Sequence, residues 1–267
     1  EALLDQPFVL YVMPAPALSP LNGDGTDTHF ADLLQNTGTG GAALSGKNVV
    51  LGLGDNGRPY HIDNGFYEEG QPYNGSLHAT HVAGTMKGAG IINPALKGYA
   101  YRSTMMVEFF NNIIYQAPTY YAENRMVLTN NSYGAGSECL PYSGQYSGYC
   151  GQADQQLIDY PALMHVFAAG NSGNLACGLV PVGYRSIDNA FQAAKNVLTV
   201  GGTYEDGIRN KYSKGPVVDG RIKPEISAVS MAVNSTLPNN RYGENEGTSM
   251  SAPQVTGALA LLYERYR

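Results

Sequence analysis

Near its C-terminus the chain reads Gly247-Thr248-Ser249-Met250-Ser251-Ala252-Pro253-Gln254-Val255-Thr256-Gly257, and the apolar run 258–262 follows. The pattern predicts a sharp turn at Gly247 that delivers Ser249 to the first turn of a buried helix, with Pro253 early in that helix. A serine so placed meets unpaired backbone N–H groups and the positive end of the helix dipole, where negative charge is favoured. That suits a nucleophile whose reaction passes through an oxyanion. Taken alone, such a serine is more often an N-cap on an ordinary core helix than a nucleophile.

Further out, the chain alternates apolar strands with helical segments. Residues 47–54 read as a buried parallel strand ending at Asp55-Asn56-Gly57, residues 126–134 as a strand entering a glycine-containing loop, and residues 163–168 as a strand ending at Gly170-Asn171. Residues 196–202 form a further short strand. Helices are expected over 76–85, 118–124 and 154–160, with a short one over 29–35. Such alternation predicts an α/β fold: a doubly wound, mostly parallel sheet with helices on both faces. Functional groups in such folds collect at the carboxyl ends of the strands. Asp55, Ser132-Tyr133-Gly134 and Ala168-Ala169-Gly170-Asn171 all stand there, although each is also good turn chemistry.

The helical segment Ser76-Leu77-His78-Ala79-Thr80-His81-Val82-Ala83-Gly84-Thr85 sets two histidines at i and i+3 on adjoining parts of one face. No Glu lies between them in the zinc-protease manner and no third ligand is evident. A general base beside a core histidine is the better reading than zinc. Asn22-Gly23-Asp24-Gly25-Thr26-Asp27 has part of a calcium loop's spacing but lacks the distal glutamate, so a polar turn is expected there.

Composition narrows the class. The 267 residues are 43% hydrophobic without a tract of 18 apolar residues, so no membrane span is expected. Formal net charge is −6 with no basic run, which argues against nucleic acid as a partner. Three cysteines are too few for a disulfide scaffold and show no zinc spacing. The start at Glu1 and the helix-like end over 261–267 lead us to expect a processed segment with more protein after Arg267.

Four separated motifs together resemble the subtilisin-like serine peptidases. Residues 49–57 are similar to that family's aspartate strand, and His78-Ala79-Thr80-His81-Val82-Ala83-Gly84 to its histidine helix. Ala168-Ala169-Gly170-Asn171 is similar to its oxyanion-asparagine segment, and residues 247–257 to its serine motif. The order Asp, His, Ser is also the subtilisin order. The resemblance covers residues 47–265 and implies the subtilisin-like three-layer α/β/α fold, with residues 21–267 as the catalytic domain. Residues 1–20, where Phe8-Val9-Leu10-Tyr11-Val12 precedes several prolines, then resemble the tail of an inhibitory propeptide or a linker.

By that resemblance Ser249 attacks the scissile carbonyl, His78 takes its proton, Asp55 orients the imidazole and Asn171 donates to the oxyanion. Ser132, Tyr133, Gly134, Ala168, Ala169 and Gly170 flank the pocket for the P1 side chain (the residue before the scissile bond) and offer backbone groups to an extended polypeptide substrate. The small residues at 168–170, with no acidic cluster in either segment, lead us to expect broad specificity with an apolar or aromatic P1. No cofactor is expected for the chemistry, and no metal ligands can be named, although structural calcium is frequent in the family. If the strands are neighbours as the family fold implies, a Cys139–Cys177 disulfide is expected, with Cys139–Cys150 as the alternative. Either bridge implies a secreted or cell-surface protein. Ala79 stands where glycine is usual, Gln254 where a second histidine is frequent, and Val229-Ser230 where Pro-Gly is frequent. These departures leave an alternative, a subtilisin-fold binding or structural module with weakened chemistry. An esterase is disfavoured because no Gly-x-Ser-x-Gly elbow surrounds Ser249.

Overall fold

The alternation Leu51-Gly52-Leu53-Gly54 shows how the sheet is covered. In the computed structural model, which describes residues 29, 31–38, 41–65, 75–134 and 141–266, this run lies in strand β1 (Val50–Asp55). The expected propeptide or linker over 1–20, the turn over 22–27 and Cys139 lie outside the described residues. The remaining strands are β2 (Thr104–Phe109), β3 (Met126–Asn131), β4 (Met164–Ala168), β5 (Leu198–Thr203), β6 (Ile226–Val229), β7 (Val233–Leu237) and β8 (Arg241–Asn245). The helices are α1 (Ala31–Gln35), α2 (Leu77–Lys87), α3 (Asn112–Asn124), α4 (Gly148–Asp159) and α5 (Thr248–Tyr266).

Successive strand side chains point to opposite faces. Leu51 and Leu53 are fully buried on one side, in a cluster with Val82 and Met86 of α2 and Met250 of α5. On the other side the glycines let α3 approach: a Cβ at Gly52 would stand 2.9 Å from Ile113 Cδ1, and one at Gly54 2.6 Å from Ile113 Cγ2. Ile113 and Ile114 of α3, with Cys150 and Ala153 of α4, fill a second core against Phe167 of β4. Full burial of a large apolar side chain such as Leu51, Ile113 or Phe167 contributes about 1.5–3 kcal/mol.

Six strands pair in parallel in the order β2-β1-β3-β4-β5-β6, while β7 and β8 form a separate antiparallel hairpin. The fold is therefore the doubly wound α/β arrangement expected. From β1 the chain runs first to one neighbour, β2, then back to the other, β3. That reversal opens a crevice at the carboxyl ends of β1 and β3, the usual place for a ligand in such sheets. Among the described residues, no helix is long and apolar enough to cross a membrane.

Among the described residues, two prolines stand inside helices. A proline at position i cannot donate to the carbonyl at i−4. Pro118 leaves the Ile114 carbonyl of α3 unmatched, and Gln156 Nε2 of α4 donates to it at 3.0 Å. Helix α3 therefore begins at Asn112, not near Pro118. Pro253 leaves the Ser249 carbonyl of α5 unmatched, and Ser132 Oγ donates to it at 2.9 Å. In both cases a distant side chain supplies the missing donor.

Candidate active site

Asp55 closes β1 and is 1% exposed. Ser76 caps α2, its hydroxyl accepting from Ala79 N at 3.1 Å, which sets His78 in the helix's first turn. From there His78 Nδ1 reaches both oxygens of Asp55, at 2.8 and 3.0 Å. Asp55 Oδ1 also accepts from Asn56 N at 2.8 Å. Two bonds to one ring nitrogen fix the imidazole's plane and turn Nε2 away from the carboxylate. The methyl of Ala79 is fully buried and leaves this contact in place.

His81 plays a different part. Its Nε2 donates to Val233 O at 2.8 Å, tying α2 to the hairpin, and its Nδ1 is buried without a partner. Burial lowers its pKa to about 4, so the ring is neutral at neutral pH. The two histidines thus engage separate partners, one a carboxylate and the other main chain.

Ser249 is the second residue of α5, half-buried, with its N–H among the first-turn donors that lack intrahelical partners. The turn before it is held by Gly247 N donating to Ser230 O at 2.8 Å. Gly247 has φ +129°, which disfavours any residue with a Cβ, and a Cβ there would stand 3.3 Å from Asn171 Nδ2. Ser249 Oγ donates to Ser132 O at 3.1 Å; among the described hydrogen bonds it makes none to His78. Ser132 and Ser249 therefore bond reciprocally, each hydroxyl to the other's carbonyl.

Asn171 follows β4 and approaches the same helix end. Its Oδ1 accepts from Thr248 N and from Thr248 Oγ1, both at 3.0 Å. Thr248 Oγ1 in turn accepts from Gly170 N at 3.1 Å. With the amide oxygen anchored twice, Nδ2 is the end left to donate elsewhere. A cavity of about 260 Å³ opens here, lined by Tyr133, Gly134, Ala168, Asn171, Asp188 and Ser249 among others. Tyr133 forms a stiff wall, packed edge-on against Phe110 and Phe167, and burial pushes its phenol well above the usual range.

The expected pocket residues divide. Tyr133, Gly134, Ala168 and Gly170 line the cavity. Ala169 does not. It alternates onto the opposite face, is fully buried in the α3–α4 core, and its N–H and carbonyl are bonded to Val200 O and Asp188 N. Ser132 lies beside the cavity and spends its hydroxyl on Ser249. Gly170 also has both backbone groups engaged, by Thr248 Oγ1 and Ser213 N, so residues 169–170 have no backbone edge for an added strand. Sequence reading gave no role to Thr248 or Asp188. Thr248 stood in the serine motif without a distinguishing signal, and Asp188 lies in a loop with no periodicity. Of the cysteines, Cys150 is a buried free thiol, so the alternative Cys139–Cys150 pairing is not formed.

Among known proteins, the profile of peptidase S8, the subtilase family, matches residues 25–267. The major intracellular serine protease of Bacillus subtilis (strain 168) is 29% identical over 233 residues, covering 81% of this chain and 62% of that protein. Subtilisin DY of Bacillus licheniformis is 28% identical over 241 residues, 83% of this chain and 78% of that protein. The chain thus spans less than two thirds of the first relative's length. Among solved structures, that of the Clostridium perfringens CspB protease superposes with a TM-score of 0.68 at 16% identity, over 90% of this chain and 88% of that one, a likeness of fold.

Proposed function

The chain belongs to the subtilase family, and from that premise we propose that it is a serine endopeptidase acting through Asp55, His78 and Ser249 with an oxyanion hole at Asn171. The observation that carries the reading is the grip of buried Asp55 on His78 Nδ1 at the carboxyl end of β1, next to β3, after which Ser132 accepts from Ser249, itself beside Asn171 in the cavity wall. Ser249 Oγ turns from Ser132 O, loses its proton to His78 Nε2 and bonds to the scissile carbonyl carbon. Asn171 Nδ2 and Ser249 N–H donate to the oxygen that becomes negative. Collapse of the tetrahedral species breaks the C–N bond, and His78 returns the proton to the leaving amine. Water, deprotonated by His78, then releases the acyl group. Asp55 holds the tautomer and stabilises the imidazolium throughout. No cofactor takes part.

The same reading carries two lesser proposals. With Cys150 free, Cys139 and Cys177 are the pair left to form a disulfide, which fits a secreted or cell-surface protein. Polypeptide enters beside Ser132–Gly134 and sends its P1 side chain into the cavity. One observation favours the binding-module alternative: the Ser249 hydroxyl rests on Ser132 and not on His78. Catalytic hydrogen bonds often tighten only when substrate is bound, which supports the enzyme reading despite it. A fluorophosphonate label decides between the two. We expect labelling of the wild type and none of Ser249→Ala; a folded wild type, freed of any propeptide, that stays unlabelled and cleaves no peptide would overturn the peptidase reading.

A further inference from the structure

Among the described residues lining the cavity beside Ser249, Asp188 is the only Asp, Glu, Lys, Arg or His. We propose that Asp188 is the specificity-determining residue of the P1 pocket and selects a cationic side chain, lysine or arginine. The proposal deepens the peptidase reading and rests on it. It also replaces the expected apolar or aromatic P1, which rested on segments 132–134 and 168–170 alone; Asp188 lies in neither.

Three features bring the carboxylate to the cavity. Its backbone is anchored, Asp188 N donating to Ala169 O at 3.0 Å, and its neighbour Ile187 is fully buried. Two walls are pared back to admit it. A Cβ on Gly134 would collide with Asp188 Oδ2, and one on Gly170 would stand 3.3 Å from Asp188 Cβ. Of the other lining residues, Asn171, Ser172, Thr248 and Ser249 are polar, while Tyr133 and Ala168 offer apolar surface that suits the methylene stem of a long basic side chain whose charged head lies beyond. The arrangement therefore sets an apolar strip beside an anion, in a cavity otherwise lined by neutral polar groups.

An ionised carboxylate accepts about four hydrogen bonds. Oδ1 takes one from Asn189 N at 2.6 Å, and a guanidinium or ammonium can add to such bonds without replacing them. A phenyl or isobutyl P1 group would instead strip water from a half-buried carboxylate and return no hydrogen bond. Charge thus discriminates in both directions, by attraction of the cation and by penalty on the apolar rival.

The test compares kcat/KM for peptides that differ only in P1, with fluorophosphonate labelling run in parallel to report a reactive Ser249. We expect the wild type to favour Arg or Lys over Phe or Leu by at least about tenfold, the smaller end of what a charge-assisted hydrogen bond is worth. Asp188→Asn should lower the Arg value roughly 10- to 100-fold and erase the Arg-to-Phe preference. The wild-type profile is decisive even if that variant fails to fold. A labelled wild type that prefers Phe or Leu, or an active Asp188→Asn with an unchanged Arg-to-Phe ratio, overturns the assignment and leaves the peptidase standing. A wild type that neither labels nor cleaves overturns the peptidase reading, and this assignment with it.

Discussion

Thr248 offers the sharpest test of how the proposed oxyanion site is held. Thr248→Val keeps the shape of the side chain and removes its hydroxyl. Asn171 Oδ1 then loses one of its two donors, the hydroxyl at 3.0 Å, and keeps the other, Thr248 N at 3.0 Å. A neutral hydrogen bond is worth about 0.5–1.5 kcal/mol, so kcat should fall roughly 2- to 13-fold as Asn171 Nδ2 loses orientation. KM should move little, since the bond serves the developing oxyanion more than the bound peptide. Deleting the amide altogether, in Asn171→Ala, should cost about 10²–10³ in kcat, a magnitude borrowed from subtilisin's own oxyanion asparagine. The two effects are expected not to add: in the Asn171→Ala background, Thr248→Val should change kcat by less than about twofold. Thr248→Ser should restore the wild-type rate. The valine variant also strands Gly170 N, which now donates to that hydroxyl, so a stability loss of about 1–3 kcal/mol should accompany it. Equal kcat losses in both backgrounds, or a serine variant as slow as the valine one, would refute the positioning role.

Acid should weaken the fold through two core histidines. Burial lowers the pKa of His81 to about 4 and that of His165 to about 3, against 6.5 for each in the unfolded chain, so unfolding takes up protons below pH 6.5. Their contribution is fully present above 6.5 and is lost as pH falls, by roughly 1.4 kcal/mol per unit per ring and about 4 kcal/mol together by pH 5. Urea unfolding of Ser249→Ala, chosen to prevent self-digestion, should show that loss; a stability unchanged between pH 7 and pH 5 would contradict it. For the cysteines, alkylation of the denatured, unreduced protein should modify Cys150 alone, and mass spectrometry should find the Cys139 and Cys177 peptides joined. Modification of all three would remove the disulfide and the compartment inferred from it.

Much of the fold was legible in the chain because its signals are local. Strand β1 shows as an apolar run closed by Asp-Asn-Gly, and α5 as a glycine turn before an apolar helix. The failures occurred where a local signal was answered from far away. Pro118 read as a helix start because a proline in mid-helix orphans a carbonyl; nothing nearby reveals that Gln156, bonded to His165 on its other end, supplies the donor. The strands of the β7–β8 hairpin went unread for a similar reason. The burial of β7 comes from α2, whose Gly84 lies so close to Thr236 that a Cβ would collide with its hydroxyl.

The candidate site divides along the same line. The sequence, through its resemblance to a family, nominated Asp55, His78, Asn171 and Ser249, each in a contiguous motif at the end of a strand or the start of a helix. Tertiary structure decided what surrounds them. The pairing of Thr248 with Asn171 spans 77 residues, that of Ser132 with Ser249 spans 117, and Asp188 reaches the cavity from a loop of no recognisable pattern. Motifs record which groups a short backbone segment can present. Which partners hold those groups, and which charge stands beside the substrate's side chain, depends on packing between segments that share no local code.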